Sequence, residues 1–211
     1  RNIEKAKQII DFETYTKEKN FYFFSNDLNN LDETLKDIEK LPSDLGGIIW
    51  VTGSTGSPDQ EFLDYKEAQK NINVNFTHAV LCLTNLTKKI LLEKNSFICV
   101  ITSVAGLRGR SKRLYYSAAK GGLINFISGL RQYYKDKLKI ITVIPGYIST
   151  NSFTEKSPEF LITTPEKAAD TIFNSIKRNK EIVPKINIPK YTNILTFNLK
   201  NLSNAIKIKK P

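Results

Sequence analysis

The sequence predicts an α/β protein in which a doubly wound parallel sheet carries helices on both faces. Short apolar segments, such as residues 47–51 and 139–144, alternate with longer stretches of helical periodicity, such as residues 113–134. This alternation is typical of βαβ units with right-handed crossovers, which build a parallel sheet. Segment 47–51 is apolar at consecutive positions, which indicates a central strand covered on both sides.

The other elements are predicted from periodicity and from end signals. Residues 29–40 are predicted to form a helix, because Leu31, Leu35 and Ile38 recur at helical spacing. Asn30 or Asp32 is available as its N-terminal cap. The aromatic run 21–24 ends at a polar turn and predicts a strand. The pattern also predicts a strand over 96–102, a loop near 149–163, and helices over about 59–93 and 165–177.

Composition and charge bound the class of protein. The chain has 211 residues with 40% hydrophobic and 25% charged side chains, and it carries a net charge of +11. These values suit one domain, predicted over residues 1–185, followed by a basic amphipathic tail over 186–211. Cys82 and Cys99 lie in apolar segments and are expected to be buried in a reducing compartment.

The positive charge is concentrated at the end of the chain. Residues 177–211 contain nine basic residues and one acid, Glu181, so the rest of the chain is close to neutral. This distribution argues against a nucleic-acid partner. Apolar residues recur at helical spacing over 191–206 and indicate a basic amphipathic helix. Such a helix fits an anionic membrane surface, or it packs on the domain or on a neighbouring subunit.

Several candidate site residues follow directly after predicted strands. Ligands of open parallel sheets bind beyond the carboxyl ends of the strands. This rule selects four places, which are Asp27, Gly53, Ser103 and Pro145-Gly146. We expect them to converge on one site.

A tyrosine and a lysine on one predicted helix supply acid–base chemistry. Tyr116 and Lys120 are four residues apart, so they share a face of the helix. A free tyrosine titrates near pH 10, and a nearby cation favours the phenolate and lowers its pKa. The pair is then a general acid or base. Ser103, 13 residues before Tyr116, is placed to hold a substrate oxygen beside the phenol.

With these residues, the chain from Asp27 to Thr150 resembles the classical short-chain dehydrogenases/reductases, which have a Rossmann-like fold. Tyr116-x-x-x-Lys120 matches the family motif, and Ser103 and Asn75 match its other two catalytic residues. The resemblance implies that Tyr116 exchanges a proton with the substrate, that Lys120 binds the nicotinamide ribose and lowers the tyrosine pKa, that Ser103 orients the carbonyl, and that Asn75 holds a water.

The same resemblance implies an NADP or NAD cofactor. Its contacts are expected at the adenine pair Asp27-Leu28, at Gly53, at Tyr116 and Lys120, and in the segment Pro145-Gly-Tyr-Ile-Ser-Thr150, where Ile148 and Thr150 meet the carboxamide. Arg1-Asn2 resembles the position that selects NADP, so NADP is favoured. The cofactor carries the hydride chemistry.

Residues 103–110 and 115–122 resemble one branch of the family, the reductases that act on a polyprenyl-phosphate-linked keto-pentose in cell-envelope synthesis. In that branch, Arg108 and Arg110 would meet a phosphate. The alternative is that both are exposed loop charges. The family also implies a homo-dimer or homo-tetramer. We expect a cytoplasmic protein that binds a small carbonyl or alcohol substrate. Peripheral contact of 191–206 with the inner face of the membrane is one of the two alternatives for the tail, beside packing on the domain or a neighbouring subunit.

Two departures from the family pattern motivate an alternative function. The first βαβ unit with its Gly-rich turn is expected to be missing, because Gly53 precedes Tyr116 by only 63 residues and fits a later family position. Trp50 and Val51 also replace two asparagines there. These features suit a catalytically silent binding or scaffold subunit. His78, one turn after Asn75, is interpreted as a packed histidine rather than a general base.

Overall fold

The computed structural model describes residues 27, 29–55, 64–93, 95–149, 162–178 and 181–184. Several predicted features lie outside the described residues: Arg1-Asn2, the strand 21–24, Leu28, residues 59–63 of the predicted helix, residues 150–161 of the predicted loop, which include Thr150, and the tail 186–211. Elements are numbered below over the described part of the chain.

Helices and strands alternate along the chain, as the sequence predicts. The helices are α1 (Leu31–Glu39), α2 (Tyr65–Ile72), α3 (His78–Leu86), α4 (Leu114–Tyr133) and α5 (Pro165–Lys177), with a π-helical segment at Asn73–Thr77 and a 3₁₀ turn at Val104–Leu107. The strands are β1 (Gly47–Trp50), β2 (Phe97–Ile101), β3 (Lys139–Ile144), β4 (Tyr147–Ile148), β5 (Ile162–Thr163) and β6 (Ile182–Pro184).

Four strands form a parallel sheet in the order β1-β2-β3-β6. Side chains on one face of the sheet, including Ile98 and Ile140, pack with α1, α3 and α4, whereas Cys99 and Ile141 point to the other face and pack with α5. Helices therefore cover both faces of the sheet, which confirms the predicted fold class. The sequence did not predict β4 and β5, which form a separate two-stranded ladder, or β6.

Strand β1 differs from the prediction that both of its faces are buried. Ile48 and Trp50 are in the core, but Ile49 is 53% exposed and the following Val51 is 67% exposed. In the described sheet, β1 pairs only with β2, and the core around α5 reaches β2, β3 and β6 rather than β1. An apolar run at consecutive positions cannot distinguish a central strand from one that lies at the end of these four.

The helix predicted over about 59–93 is shorter and interrupted. It begins at Tyr65, where the Asp64 side chain accepts the backbone N–H of Lys66 at 2.9 Å, and ends at Leu86. Beyond it the chain turns, and Ile90 forms a β-bridge with Leu45. The π-helical segment, in which the backbone adds one residue to a turn, lies between α2 and α3.

The predictions that Cys82, Cys99 and His78 are buried are confirmed. Cys82 and Cys99 are buried free thiols, and burial raises the pKa of each to about 11. Trp50 and His78 are also buried. In the segments that the structure describes, no helix is both long and apolar enough to cross a bilayer, and no cluster of three metal-ligating side chains occurs.

Helix α4 packs closely on the 3₁₀ turn that follows β2. A Cβ on Gly106 would lie 2.7 Å from the backbone carbon of Lys120 and 2.8 Å from the nitrogen of Gly121. Backbone atoms cannot rotate away as a side chain can, so only glycine permits this approach. The contact sets the distance between the end of β2 and the middle of α4.

We predict that Gly106→Ala lowers the free energy of unfolding by about 1–3 kcal/mol, because the added methyl group forces the turn away from α4. Gly109→Ala is the matched control, since a Cβ there meets nothing within 4 Å. Chemical denaturation of both variants measures the difference. Equal stability of the two variants would contradict the proposed close approach.

Candidate active site

The carboxyl ends of β1, β2 and β3 lie at one edge of the parallel sheet. The chain after β2 is joined to the chain after β3, because Val104 donates its N–H to the Pro145 carbonyl at 3.0 Å. Just before it, the Thr102 hydroxyl donates to the Val143 carbonyl at 2.7 Å. These bonds place Ser103 beside the Pro145-Gly146 segment, as predicted.

Ser103 links the end of β2 to helix α4. Its hydroxyl oxygen accepts the N–H of Ala105 at 3.1 Å and so caps the 3₁₀ turn. The same side chain hydrogen bonds with the Tyr116 phenol. Two of the predicted catalytic groups are therefore in direct contact through their hydroxyls.

The ionisation of Tyr116 differs from the prediction. Burial raises the pKa of the Tyr116 phenol above its ordinary value of 10.0, and this effect is larger than the lowering by the Ser103 hydrogen bond and the Arg113 charge. The family motif predicts that Lys120 lowers the tyrosine pKa. Among the described residues, the Arg113 charge lowers the pKa of the phenol, and the Lys120 ammonium lies 5.8 Å from the tyrosine ring centroid. The lowering of the tyrosine pKa by Lys120 stays a prediction.

Lys120 is a buried cation. Its side chain is 3% exposed, and desolvation lowers its pKa from 10.5 to about 8. Among the described residues, its ammonium donates to the Thr52 carbonyl at 3.4 Å, a long and weak hydrogen bond. A lysine in this position retains capacity to donate to hydroxyl groups of a ligand.

Asn75 lies in the π-helical segment and braces the loop after β1. Its Oδ1 accepts the N–H of Ser54 at 3.1 Å, which establishes the orientation of the amide. Its Nδ2 donates to the Ser54 carbonyl at 2.7 Å and to Asn71 Oδ1 and the Asn71 carbonyl, both at 2.9 Å. The two N–H groups of the Asn75 side chain therefore already have three acceptors in the protein. The amide donors of Asn75 therefore position the loop after β1, and the water at Asn75 stays a prediction.

Gly53 lies between Asn75 and Lys120. A Cβ at this position would be 2.8 Å from Asn75 Oδ1 and 2.9 Å from the Lys120 ammonium. A side chain here would fill the space beside the ammonium. The structure therefore brings together Gly53, Asn75, Ser103, Tyr116 and Lys120, as the sequence predicted.

The remaining predicted contacts are placed as follows. Asp27 lies in the turn before α1, where its carboxylate accepts the backbone and side-chain N–H groups of Asn29 at 3.0 and 2.8 Å. This local turn does not test its predicted contact with adenine. Ile148 is half-buried in β4, which pairs with β5.

Three residues that the sequence analysis missed contact the site. Thr52 accepts from Lys120 through its backbone, Ser54 pairs with Asn75, and Arg113 donates from Nη1 to the Thr55 carbonyl at 2.8 Å. The backbone contacts have no sequence signal. Arg113, by contrast, lies three residues before Tyr116, and this helical spacing predicts a neighbour.

We predict that Lys120→Met raises the free energy of unfolding of the ligand-free protein at neutral pH by about 2–3 kcal/mol, because it removes the cost of burying the charge. The gain should shrink as pH rises from about 8 to 10.5, where the folded wild type loses the proton before the unfolded chain does. Denaturation across this pH range measures the effect.

The exposed lysine Lys112 provides the control, since Lys112→Met removes the same charge from a position where the charge is not buried. Equal stabilisation by both variants, or a gain by Lys120→Met that does not change with pH, would contradict the prediction.

Comparison with known proteins adds the family. The family model described as short chain dehydrogenase matches residues 1–160. An uncharacterized oxidoreductase of Saccharomyces cerevisiae is 26% identical over 217 residues, which cover 93% of this chain and 70% of that protein. The 3-oxoacyl-[acyl-carrier-protein] reductase of Bos taurus is 26% identical over 63% of this chain and 56% of its own length. The chain thus spans about half the length of several curated relatives that it matches.

Solved structures share the fold. The bulky-bulky ketone specific alcohol dehydrogenase of Comamonas testosteroni superposes with a TM-score of 0.70 at 15% identity, covering 96% of this chain and 78% of that one. A short chain dehydrogenase of Burkholderia cenocepacia, solved in complex with NADP, has a TM-score of 0.66 at 18% identity, over 79% and 71% of the two chains. Because the family model covers most of the sequence and these neighbours share its fold, the chain belongs to the short-chain dehydrogenase family.

Proposed function

We propose that this protein is an NAD(P)-dependent oxidoreductase that transfers a hydride between a nicotinamide cofactor and a carbonyl or alcohol substrate. One observation carries the proposal, the hydrogen bond between the Ser103 hydroxyl and the half-buried Tyr116 phenol at the carboxyl edge of the sheet. Two hydroxyls held together in this way suit the two lone pairs of one substrate oxygen. The family's oxidoreductase relatives support the same reaction class.

The residues beside this pair fit the nicotinamide half of the cofactor. Lys120 presents a buried ammonium with one long hydrogen bond among the described residues, and the missing side chain of Gly53 leaves space directly beside it. We propose that Lys120 binds the ribose hydroxyls and that Pro145, Gly146 and Ile148 line the nicotinamide ring. When bound, the cofactor supplies the hydride.

Tyr116 exchanges the proton in this proposal. Burial raises the pKa of the phenol, so Tyr116 is protonated at neutral pH and is ready to donate to a developing alkoxide. Ser103 donates to the same oxygen and orients the carbonyl. The protonated state favours carbonyl reduction as the working direction near neutral pH.

We favour NADP over NAD. The proposal rests on the resemblance of Arg1-Asn2 to an NADP-selecting position. It is supported by family neighbours of known structure that were solved with NADP or NADPH. The predicted adenine pair Asp27-Leu28 and the contact of Thr150 with the carboxamide belong to the same proposal.

For the substrate, we propose a keto-sugar of cell-envelope polysaccharide or lipid-linked sugar synthesis. The segments 103–110 and 115–122 carry the resemblance, and Arg108 is exposed while Arg110 is half-buried on the loop between Ser103 and Tyr116. Two cations on this loop suit a phosphate group. We also propose that residues 191–206 form a peripheral membrane helix, that the protein is cytoplasmic, and that it forms a homo-dimer or homo-tetramer.

A substrate panel tests the keto-sugar proposal. With NADPH, we expect a keto-pentose phosphate to be reduced with a higher kcat/KM than a 3-oxoacyl thioester or an uncharged bulky ketone. Arg108→Gln and Arg110→Gln should lower kcat/KM for the phosphorylated substrate alone. Highest activity on the thioester would instead assign the protein a substrate like those named for several relatives.

A catalytically silent subunit is the second candidate function. The observation that favours it is Trp50 in place of a family asparagine, with its buried indole N–H lacking a hydrogen-bond partner among the described residues. Asn75 nevertheless braces the loop after β1 through Ser54. This bracing supports the enzyme over the silent subunit.

Substitution of the two neighbouring tyrosines tests the enzyme proposal. Tyr116→Phe should lower carbonyl reduction by about 10²–10⁴-fold, because the proton donor is lost while the ring remains. Tyr115→Phe is the matched control and should remain close to wild type. NADPH oxidation with a keto substrate provides the measurement. Full turnover by Tyr116→Phe would remove this residue from the mechanism, and an inactive wild type would favour the silent subunit.

A further inference from the structure

Arg113 occupies the residue before α4, one turn ahead of Tyr116. Its side chain is half-buried, and its Nη1 donates to the Thr55 carbonyl at 2.8 Å, across a sequence separation of 58 residues. This bond joins the start of α4 to the loop after β1. The position of the guanidinium is therefore defined at both ends, by the start of α4 and by Thr55.

The loop that Arg113 contacts is the one that the other site residues hold. Within residues 52–55, Thr52 accepts from Lys120, Ser54 pairs with the Asn75 amide, and Thr55 accepts from Arg113. Two of these three attachments come from α4 and its capping residue, on either side of Tyr116 along the chain. Releasing Arg113 would remove the attachment on the N-terminal side of the tyrosine.

Arg113 also brings a charge that persists across the pH range. A guanidinium stays protonated in proteins, whereas burial lowers the pKa of Lys120 to about 8. Above that pH, Lys120 loses its charge. The Arg113 charge therefore continues to act on the phenol in the range where a tyrosine titrates.

Three groups of the described part of the chain face the phenol. Lys120 faces it from its own helix, Ser103 from the end of β2, and Arg113 from the start of α4. Among the described residues, Ser103 and Arg113 favour the phenolate, against the effect of burial. Ser103 is neutral, so Arg113 supplies the electrostatic part.

We propose that Arg113 is a positioning residue for proton exchange at Tyr116: its guanidinium ties the loop 52–55 to the start of α4 and holds a permanent positive charge beside the phenol. This inference rests on the proposed function, since proton exchange requires an active oxidoreductase. It adds a residue that the Tyr-x-x-x-Lys motif does not contain.

The test uses the full chain with three variants. Arg113→Gln removes the charge, Arg113→Lys keeps the charge but loses the planar fork, and Lys112→Gln removes a neighbouring exposed charge as the matched control. Reduction of ethyl acetoacetate with NADPH and oxidation of the corresponding alcohol with NADP are measured across pH. Reduction needs the protonated phenol, so its rate falls as pH passes the pKa of Tyr116.

For Arg113→Gln, the falling limb of kcat/KM for reduction should move to higher pH, because removing a cation disfavours the phenolate. Oxidation needs the phenolate, so its kcat/KM at neutral pH should fall by about fivefold, the size of one screened charge interaction. Arg113→Lys should restore the limb but not the full kcat. Lys112→Gln should change neither quantity.

Three outcomes would overturn the inference. If Arg113→Gln lowers kcat at every pH and the falling limb of kcat/KM for reduction does not move, Arg113 has a purely structural role. A raised KM with an unchanged pH profile would assign it to substrate binding. An equal shift in Lys112→Gln would show that overall charge, not position, is responsible.

A second readout separates this inference from the proposed function. Titration of the ultraviolet absorbance of phenolate reports tyrosine ionisation without turnover. The signal of Tyr116 is obtained by subtracting the titration curve of the chain that carries Tyr116→Phe from the curve of the chain that retains Tyr116. This difference is measured in the wild-type and the Arg113→Gln backgrounds. A shift to higher pH in a chain that turns over no substrate would support the role of the Arg113 charge and reject the oxidoreductase proposal. No shift would reject the inference about Arg113.

Discussion

The reciprocal hydrogen bonds between the Asn75 side chain and the Ser54 backbone are the interaction on which the site depends. The loop after β1 leaves the sheet with no regular partner among the described strands, and Asn75 gives it both an acceptor and a donor. A buried amide group that lacks a hydrogen-bond partner destabilises the folded state, so this pairing strongly restricts the conformation of the loop. Gly53, held within the same loop, then lies against Lys120.

The π-helical segment makes this interaction available. The interruption at Asn73–Thr77 separates α2 from α3 and carries Asn75 at its centre, with the side chain fully buried. Asn71, one turn earlier, accepts from Asn75 through its Oδ1 and so orients the amide. Irregular turns of this kind often occur at functional sites, because the extra residue changes the direction of neighbouring side chains.

The site carries an energetic cost that a structural role would not require. Lys120 buries a charge with one weak acceptor among the described residues, and burial also disfavours the phenolate of Tyr116. Both charged forms would be more stable in water. Perturbed ionisation next to a sheet edge is typical of functional sites, since groups with shifted pKa values serve acid–base chemistry there. The close approach of Gly106 to α4 holds this arrangement in place.

The sequence by itself determined the fold class and the main members of the site. Alternating apolar and helical segments predicted the parallel sheet, and Ser103, Tyr116, Lys120, Asn75 and Gly53 were identified from their spacing, from their places after strands and from the family motif. Periodicity and four-residue helical spacing are local properties, because they do not depend on distant contacts. The predicted helices over 113–134 and 165–177 match the observed α4 and α5 for the same reason.

Tertiary structure alone decided how the site residues act. It exposed one face of β1, interrupted the long helix, and turned the Asn75 amide toward Ser54. It also added the Arg113 charge to the surroundings of the Tyr116 phenol. Burial and hydrogen-bond partners depend on residues far apart in the chain, such as the 58-residue separation of Arg113 and Thr55. Sequence spacing therefore identifies which groups meet, while packing determines their ionisation and their partners.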